Sequence, residues 1–299
     1  MASPTGNYSF YLGRDRVVGL SGPQGRRTFF ESRDLDLDAG SALFLPWASL
    51  ALQADIFASD AHPSNLRSVV RTTLLRTQTL ESIPATIEAY TTATLDHIAM
   101  KGLFDPFREL TWSFTQSAMA AMGIGELASS SELSRRVVLG AAFGAQGNTP
   151  TVTSWTLIGL STDGHWMAQV RKEVSQVIFR YQDNGESADQ VLRSLSMHTW
   201  EHEFPLLHAC LLESIRLAVL PVVFRKNIST TDVKIGDTGE VIPPGAYATY
   251  DFRDGARNPD IYPDPQRWDP GRFLPDRAER LKEAIAFTGF GAGRRKCRK

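Results

Sequence analysis

Apart from a short strand-like stretch near the N-terminus, the hydrophobic pattern of this chain is helical up to Leu217 and changes period there. Before that point apolar residues recur at helical spacing. Beyond it they gather in strand-length runs parted by glycine and proline turns. The helical segments are Leu80–Met100, Asp105–Met122, a long pattern from Ser134 to about Leu160 interrupted by Pro150, Gly164–Tyr181 and Phe204–Leu217. In the fourth of these Trp166, Val170, Val174 and Val177 share one stripe. Ser64 reads as the N-cap of a further helix to about Arg76, with Arg67 and Arg71 one turn apart. The strand-like runs are Val222–Ile228, Val233–Ile235, Glu240–Ile242 and Ala246–Tyr250. Near the N-terminus, Phe10–Leu20 reads as strands about the turn Gly13-Arg14-Asp15, and a short helix, Pro23–Glu31, follows. Residues 33–63 read as loop, 123–132 as a serine-rich linker and 255–275 as a proline-rich meander. The expected architecture is mainly α with a small β region, in a single domain over residues 1–299.

Bulk properties narrow the function classes. A chain of 299 residues, 42% hydrophobic and 22% charged, can bury a sizeable core. Its formal charge of −1 argues against a general nucleic-acid partner. Two cysteines, Cys210 and Cys297, are too few for a disulfide framework and suit a reducing compartment. Met1–Tyr11 lacks the layout of a signal peptide, and no apolar run is long enough to be a transmembrane segment. A cytoplasmic location is expected.

Three motifs carry chemistry. Phe290-Gly291-Ala292-Gly293-Arg294-Arg295-Lys296-Cys297 is a glycine-rich loop that delivers one thiol among cationic side chains. Positive charge there favours the thiolate, and the glycines let the backbone bend sharply and approach a flat group closely. Glu213 and Arg216 lie three residues apart on one helix, and Arg272 follows in Pro270-Gly271-Arg272-Phe273. Alone, the first two read as an ordinary exposed pair; with the downstream loop, they suit a buried carboxylate between two guanidinium groups. The third motif, Gly144-Ala145-Gln146-Gly147-Asn148-Thr149-Pro150, sits in the long helix. There, small residues allow a close approach and Pro150 frees a carbonyl.

In this order, Glu213-Ser214-Ile215-Arg216, Pro270-Gly271-Arg272-Phe273 and Phe290-x-x-Gly293-x-Arg295-x-Cys297 resemble the signature of the cytochrome P-450 superfamily. The resemblance runs from about Phe10 to Cys297 and implies a haem-thiolate monooxygenase fold. It makes Cys297 the axial ligand of haem b iron, where a thiolate donates electron density to the metal. It places Arg295 and Arg225 on haem propionates, with Arg67 or Arg71 a weaker candidate for the same task, and Phe290 and Gly293 in the cofactor loop. Glu213, Arg216 and Arg272 would form a structural ion-pair cluster behind that loop. The resemblance also implies an apolar small-molecule substrate and electrons from NADPH through a separate reductase. In the long helix, Asn148 stands where family members usually carry an acid, and Thr149 is kept, so proton delivery falls to Thr149 and Asn148 with water. The Gln-Gly-Asn-Thr-Pro form is similar to the branch containing sterol 7α-hydroxylase and prostacyclin synthase.

Measured against that family, an N-terminal anchor, the helices that roof the substrate pocket and the C-terminal helix beneath the haem are expected to be absent. An incomplete fold is therefore expected, with weakened haem affinity, because a ligand on a frayed end carries an ordering cost. Two other readings stay open. One is a haem-free remnant of the same fold acting as a binding protein. The other, more distant, is a zinc peptidase using His198, Glu201 and His202, although that stretch reads as a loop ahead of the Phe204–Leu217 helix. Cys210 reads as a small buried side chain.

Overall fold

The computed structural model describes residues 3–44, 77–111, 114, 148–183, 185–218, 222–293 and 296. In chain order the elements are β1 (Tyr8–Leu12), β2 (Asp15–Leu20), α1 (Gly22–Glu31), β3 (Leu35–Asp36), α2 (Leu37–Phe44), α3 (Thr77–Lys101), α4 (Gly164–Tyr181), α5 (Ala188–Ser194), α6 (Met197–His202) and α7 (Pro205–Ala218). They continue with β4 (Phe224–Asn227), β5 (Val233–Lys234), β6 (Val241–Ile242), β7 (Tyr247–Tyr250) and α8 (Phe252–Ala256). Residues 106–111 and 148–162 are also helical. The fold is mainly helical with a small sheet region, as its sequence pattern implies. Packing divides it into two compact units, residues 1–51 with 215–299 and residues 52–214.

The first unit is built on a five-stranded sheet in the order β1-β2-β7-β4-β3. β1 and β2 pair antiparallel across the Gly13 turn, which takes a left-handed φ of 64°. β2 pairs parallel with β7, a long-range pairing that joins the N-terminal hairpin to the strands after α7. Val18, Leu20, Ala248 and Tyr250 face a core completed by Phe29 and Phe30 of α1. Helix α1 starts on Ser21, whose side chain makes no cap. Asp254 of α8 takes that role instead, accepting from the Gly22 amide (3.1 Å) and the Ser21 hydroxyl (3.2 Å). Residues 33–63, expected as loop, include α2, where Gly40 packs so close to β4 that a Cβ would meet the Phe224 carbonyl oxygen at 2.1 Å.

The second unit is helical. Val177 of α4 packs with Val191 and Leu195 near α5 and with Phe204, ahead of α7. The stripe read from α4 is real on this face: Val170 and Val177 are buried and Val174 packs against the same cluster. Pro205 opens α7, so its first turn has amides without intrahelical acceptors. Glu173 of α4 supplies both carboxylate oxygens to them, at 2.7 Å from the Leu206 amide and 3.0 Å from the Leu207 amide. A carboxylate at a helix N-terminus adds charge-assisted bonds to a favourable dipole interaction. Glu173→Ala is expected to lower stability by about 2 kcal/mol, read as a shift of the urea midpoint with unchanged slope, whereas Glu173→Gln should lose roughly half of that.

Candidate haem-thiolate site

The residues read from the sequence fall in both units. Phe290, Gly293 and Arg225 lie in the first, Asn148 and Thr149 in the second. Cys297 and Arg295 lie outside the described residues, as do Arg67 and Arg71. Asn148 and Thr149 head the described part of a helix over 148–162, with both side chains exposed and Pro150 buried.

The approach to Cys297 is well formed. Gly291 and Gly293 adopt φ values of 68° and 65°, a region that L side chains avoid. The Gly291 amide donates to the Thr288 carbonyl at 2.8 Å, closing a tight turn. Between the two glycines, Ala292 is buried in the sheet core with Phe29, Phe30 and Phe252. A Cβ on Gly293 would lie 2.3 Å from the carbonyl oxygen of Phe30. The close approach expected of this glycine is therefore made, among the described residues, to the last turn of α1. At Gly289 a Cβ would lie 2.1 Å from the Ile215 side chain, so the loop is also pressed against α7. Phe290 is half-buried and is linked through Phe287 to Phe273 by edge-on ring contacts at 6.2 and 5.2 Å. Arg225, on β4, is buried with its guanidinium over the rings of Phe29 (5.1 Å) and Phe30 (5.9 Å).

Glu213, Arg216 and Arg272 are all buried, at 0%, 2% and 1% exposure, which excludes an ordinary surface pair. Both arginines serve the meander backbone. Arg216 donates to the carbonyls of Ala256 and Pro265 (2.7 Å to the latter) and lies over the Tyr262 ring at 4.9 Å. Arg272 donates to the carbonyls of Pro263 and Asp264, the latter at 2.7 Å. The reason lies in the composition of that segment: prolines contribute carbonyl acceptors without amide donors, and a guanidinium fork replaces the missing donors. Arg272 also pairs with Glu279 at 3.0 Å, and Arg277 bridges Glu279 (2.6 Å) to Asp269 (2.7 Å).

Glu279, a member of this network, carries no motif signal, because it opens a single 3-10 turn, Glu279–Leu281, too short to show a period. Burial works against charge on Glu279, yet the hydrogen bonds from Arg277 and Arg272 outweigh it and hold the carboxyl below the ordinary range. The other cysteine behaves oppositely: burial, followed by the nearby Glu173 charge, pushes the Cys210 thiol up to about 12. Cys210 is a buried neutral thiol on α7, as its sequence context suggests, and does not compete as a thiolate ligand.

The histidine pair takes a different form from the loop expected. His198 and His202 lie on α6 with rings stacked at 4.2 Å, and His202 Nδ1 is 2.8 Å from the His198 carbonyl oxygen. Glu203 is occupied by Arg180. Among the described residues no group of three or more His, Cys, Asp or Glu side chains is placed to hold a metal ion, so the zinc arrangement has no third ligand there.

Comparison with known proteins places this geometry. The cytochrome P-450 family profile matches residues 109–298, more than half of the chain, and the chain belongs to that family. It is 34% identical over 157 residues to the cytochrome P-450 monooxygenase AacuE of Aspergillus aculeatus, covering 52% of this chain and 31% of that protein. It is 41% identical over 106 residues to a cytochrome P-450 monooxygenase of Pseudocercospora fijiensis, covering 36% of this chain and 22% of that protein. Each match thus spans less than a third of the relative. The structure of a retinoic-acid-bound cyanobacterial relative, CYP120A1, superposes with a TM-score of 0.71 at 18% identity, covering 97% of this chain and 79% of the other. Among the described residues no helix is long and apolar enough to cross a membrane.

The described residues suit a loop of the kind the family's haem needs: left-handed glycines and buried Ala292 hold it against α1 and the sheet core as far as Gly293, and the described thiol, Cys210, is held neutral. The buried network behind the loop yields a pH test. Folding lowers the Glu279 carboxyl, so its contribution is complete above the ordinary glutamate range and is lost as pH falls through the lowered folded value. Glu279→Gln is expected to cost about 3 kcal/mol at neutral pH and to flatten the loss of stability below about pH 4, both read by denaturant unfolding across pH.

Proposed function

We propose that this chain works as a haem-thiolate monooxygenase that inserts oxygen from O2 into an apolar small molecule such as a lipid, a sterol or a secondary metabolite. The observation that carries this reading is the fixed approach to Cys297: Ala292 locked in the core and Gly293 seated on Phe30, within the segment that matches the family. Haem b, held through its iron by a cysteine thiolate, supplies activation of O2. The protein residues then have separate tasks. Cys297 is the ligand, kept as thiolate by the surrounding Arg294, Arg295 and Lys296. Phe290 and Gly293 would shape the loop that holds the haem, and Arg295 and Arg225 would hold its propionates. The Thr149 hydroxyl accepts and passes on protons. Asn148 orients the water that supplies them, because an amide cannot ionise.

A separate reductase delivers electrons from NADPH, and residues 1–299 act as one haem-thiolate domain in the cytoplasm. The Gln146–Pro150 sequence resembles that of the branch containing sterol 7α-hydroxylase and prostacyclin synthase, which includes both oxygenases and an isomerase. The test is spectroscopic. Protein reconstituted with haem, reduced and exposed to carbon monoxide is expected to show the red-shifted Soret band of thiolate ligation, and Cys297→Ala should abolish it. Folded protein that takes up no haem, or gives only the unshifted band, would overturn the proposal and favour a haem-free binding protein.

A further inference from the structure

Arg26 is a buried cation whose only described ion-pair partner lies in the segment leading to the cysteine loop. It sits in the middle of α1 at 1% exposure, and Nη2 pairs with Glu283, whose side chain is 29% exposed. Its Nε and Nη1 find no hydrogen-bond acceptor among the described residues. Burying a guanidinium with one carboxylate is costly, and a methionine or leucine would fill such a site more cheaply. The surroundings nevertheless make room for it: a Cβ on Gly255 would lie 2.4 Å from Nη1.

The position of Arg26 on the helix suggests what it does. Arg26 and Phe30 are one turn apart on α1 and share a face. Arg26 takes hold of Glu283, and the Phe30 carbonyl seats Gly293, so the helix grips this segment at both ends. The helix is itself braced. Asp254 caps its start, and Gln24 and Thr28 accept from the Asp237 and Gly236 amides at 2.7 and 3.2 Å. Strain is held within the gripped segment. Ile285 has a φ of 59°, which a β-branched residue adopts only when its neighbours impose it, and a turn closes from the Ala286 amide to the Glu283 carbonyl.

We infer that α1 sets the register of the cysteine loop, with Arg26 as a positioning residue that fixes Glu283 and through it the placement of the Cys297 thiolate. The part that concerns the thiolate rests on the haem reading above; the grip on the segment stands without it. Without the charge pair, the Ile285 turn relaxes and the segment stays attached at Gly293 alone.

The experiment compares wild type with Arg26→Met, which keeps the bulk, with Arg26→Lys, which keeps the charge, and with Glu283→Gln, where the helix is untouched. In haem-free protein, the Ala286 and Gly291 amides should exchange at least about tenfold faster in Arg26→Met and Glu283→Gln, against unchanged amides in β2 and β7, with Arg26→Lys between. In haem-loaded protein, the same variants should convert part of the red-shifted carbon monoxide band to the unshifted one and raise the iron potential, and Arg26→Lys should restore most of the shifted band. Uniformly faster exchange across the sheet, or loop exchange equal to wild type, would overturn the register role. A wild type without the shifted band would instead count against the haem reading, while the exchange data still judge the grip. A wild-type band with full wild-type character in Arg26→Met would overturn the positioning claim alone.

Discussion

The contact between the Phe30 carbonyl and Gly293 is the constraint on which the first unit turns. It fixes where the chain passes just before Cys297, and it requires a residue without a side chain at that point. Everything nearby serves it. Phe29 and Phe30 anchor α1 in the sheet core, Ala292 is buried in the same core, and Arg225 lies over both rings. The rigidity of this loop comes from a helix turn and a sheet face. The loop's own sequence supplies only the freedom to bend.

A second principle organises the meander. Proline-rich backbone is short of donors, and its carbonyls would be orphaned if buried. Arg216 and Arg272 fill that deficit with guanidinium forks, and Glu279 and Asp269 balance part of the charge through Arg272 and Arg277. The result is irregular structure that behaves as core. It stands between α7 and the cysteine loop in the chain, so the ion-pair chemistry and the loop geometry depend on the same folded segment.

The sequence reveals some of this directly and hides the rest for physical reasons. Regular periodicity marks α4 to the residue and α7 to within one residue of each end, because one-sided burial writes itself into spacing. The short strands after α7 were legible through their turns. α2 was not, since Leu37–Phe44 is only two turns long, too short for a helical period to stand out. The loop glycines pointed correctly to sharp bends and close approach, but not to Phe30 as the group approached. Arg26, Glu279 and Glu283 could not be read at all. Each acquires its role from a partner in an irregular segment or 257 positions away, and no local pattern records such a pairing.

The proposed function rests on one claim, that Cys297 and not Cys210 meets the haem iron. X-ray absorption at the iron edge of the haem-loaded protein reads this without reference to turnover. The account predicts one sulfur neighbour to iron in the wild type, kept in Cys210→Ala and lost in Cys297→Ala. A sulfur neighbour that survives Cys297→Ala, or its absence in haem-loaded wild type, would contradict it.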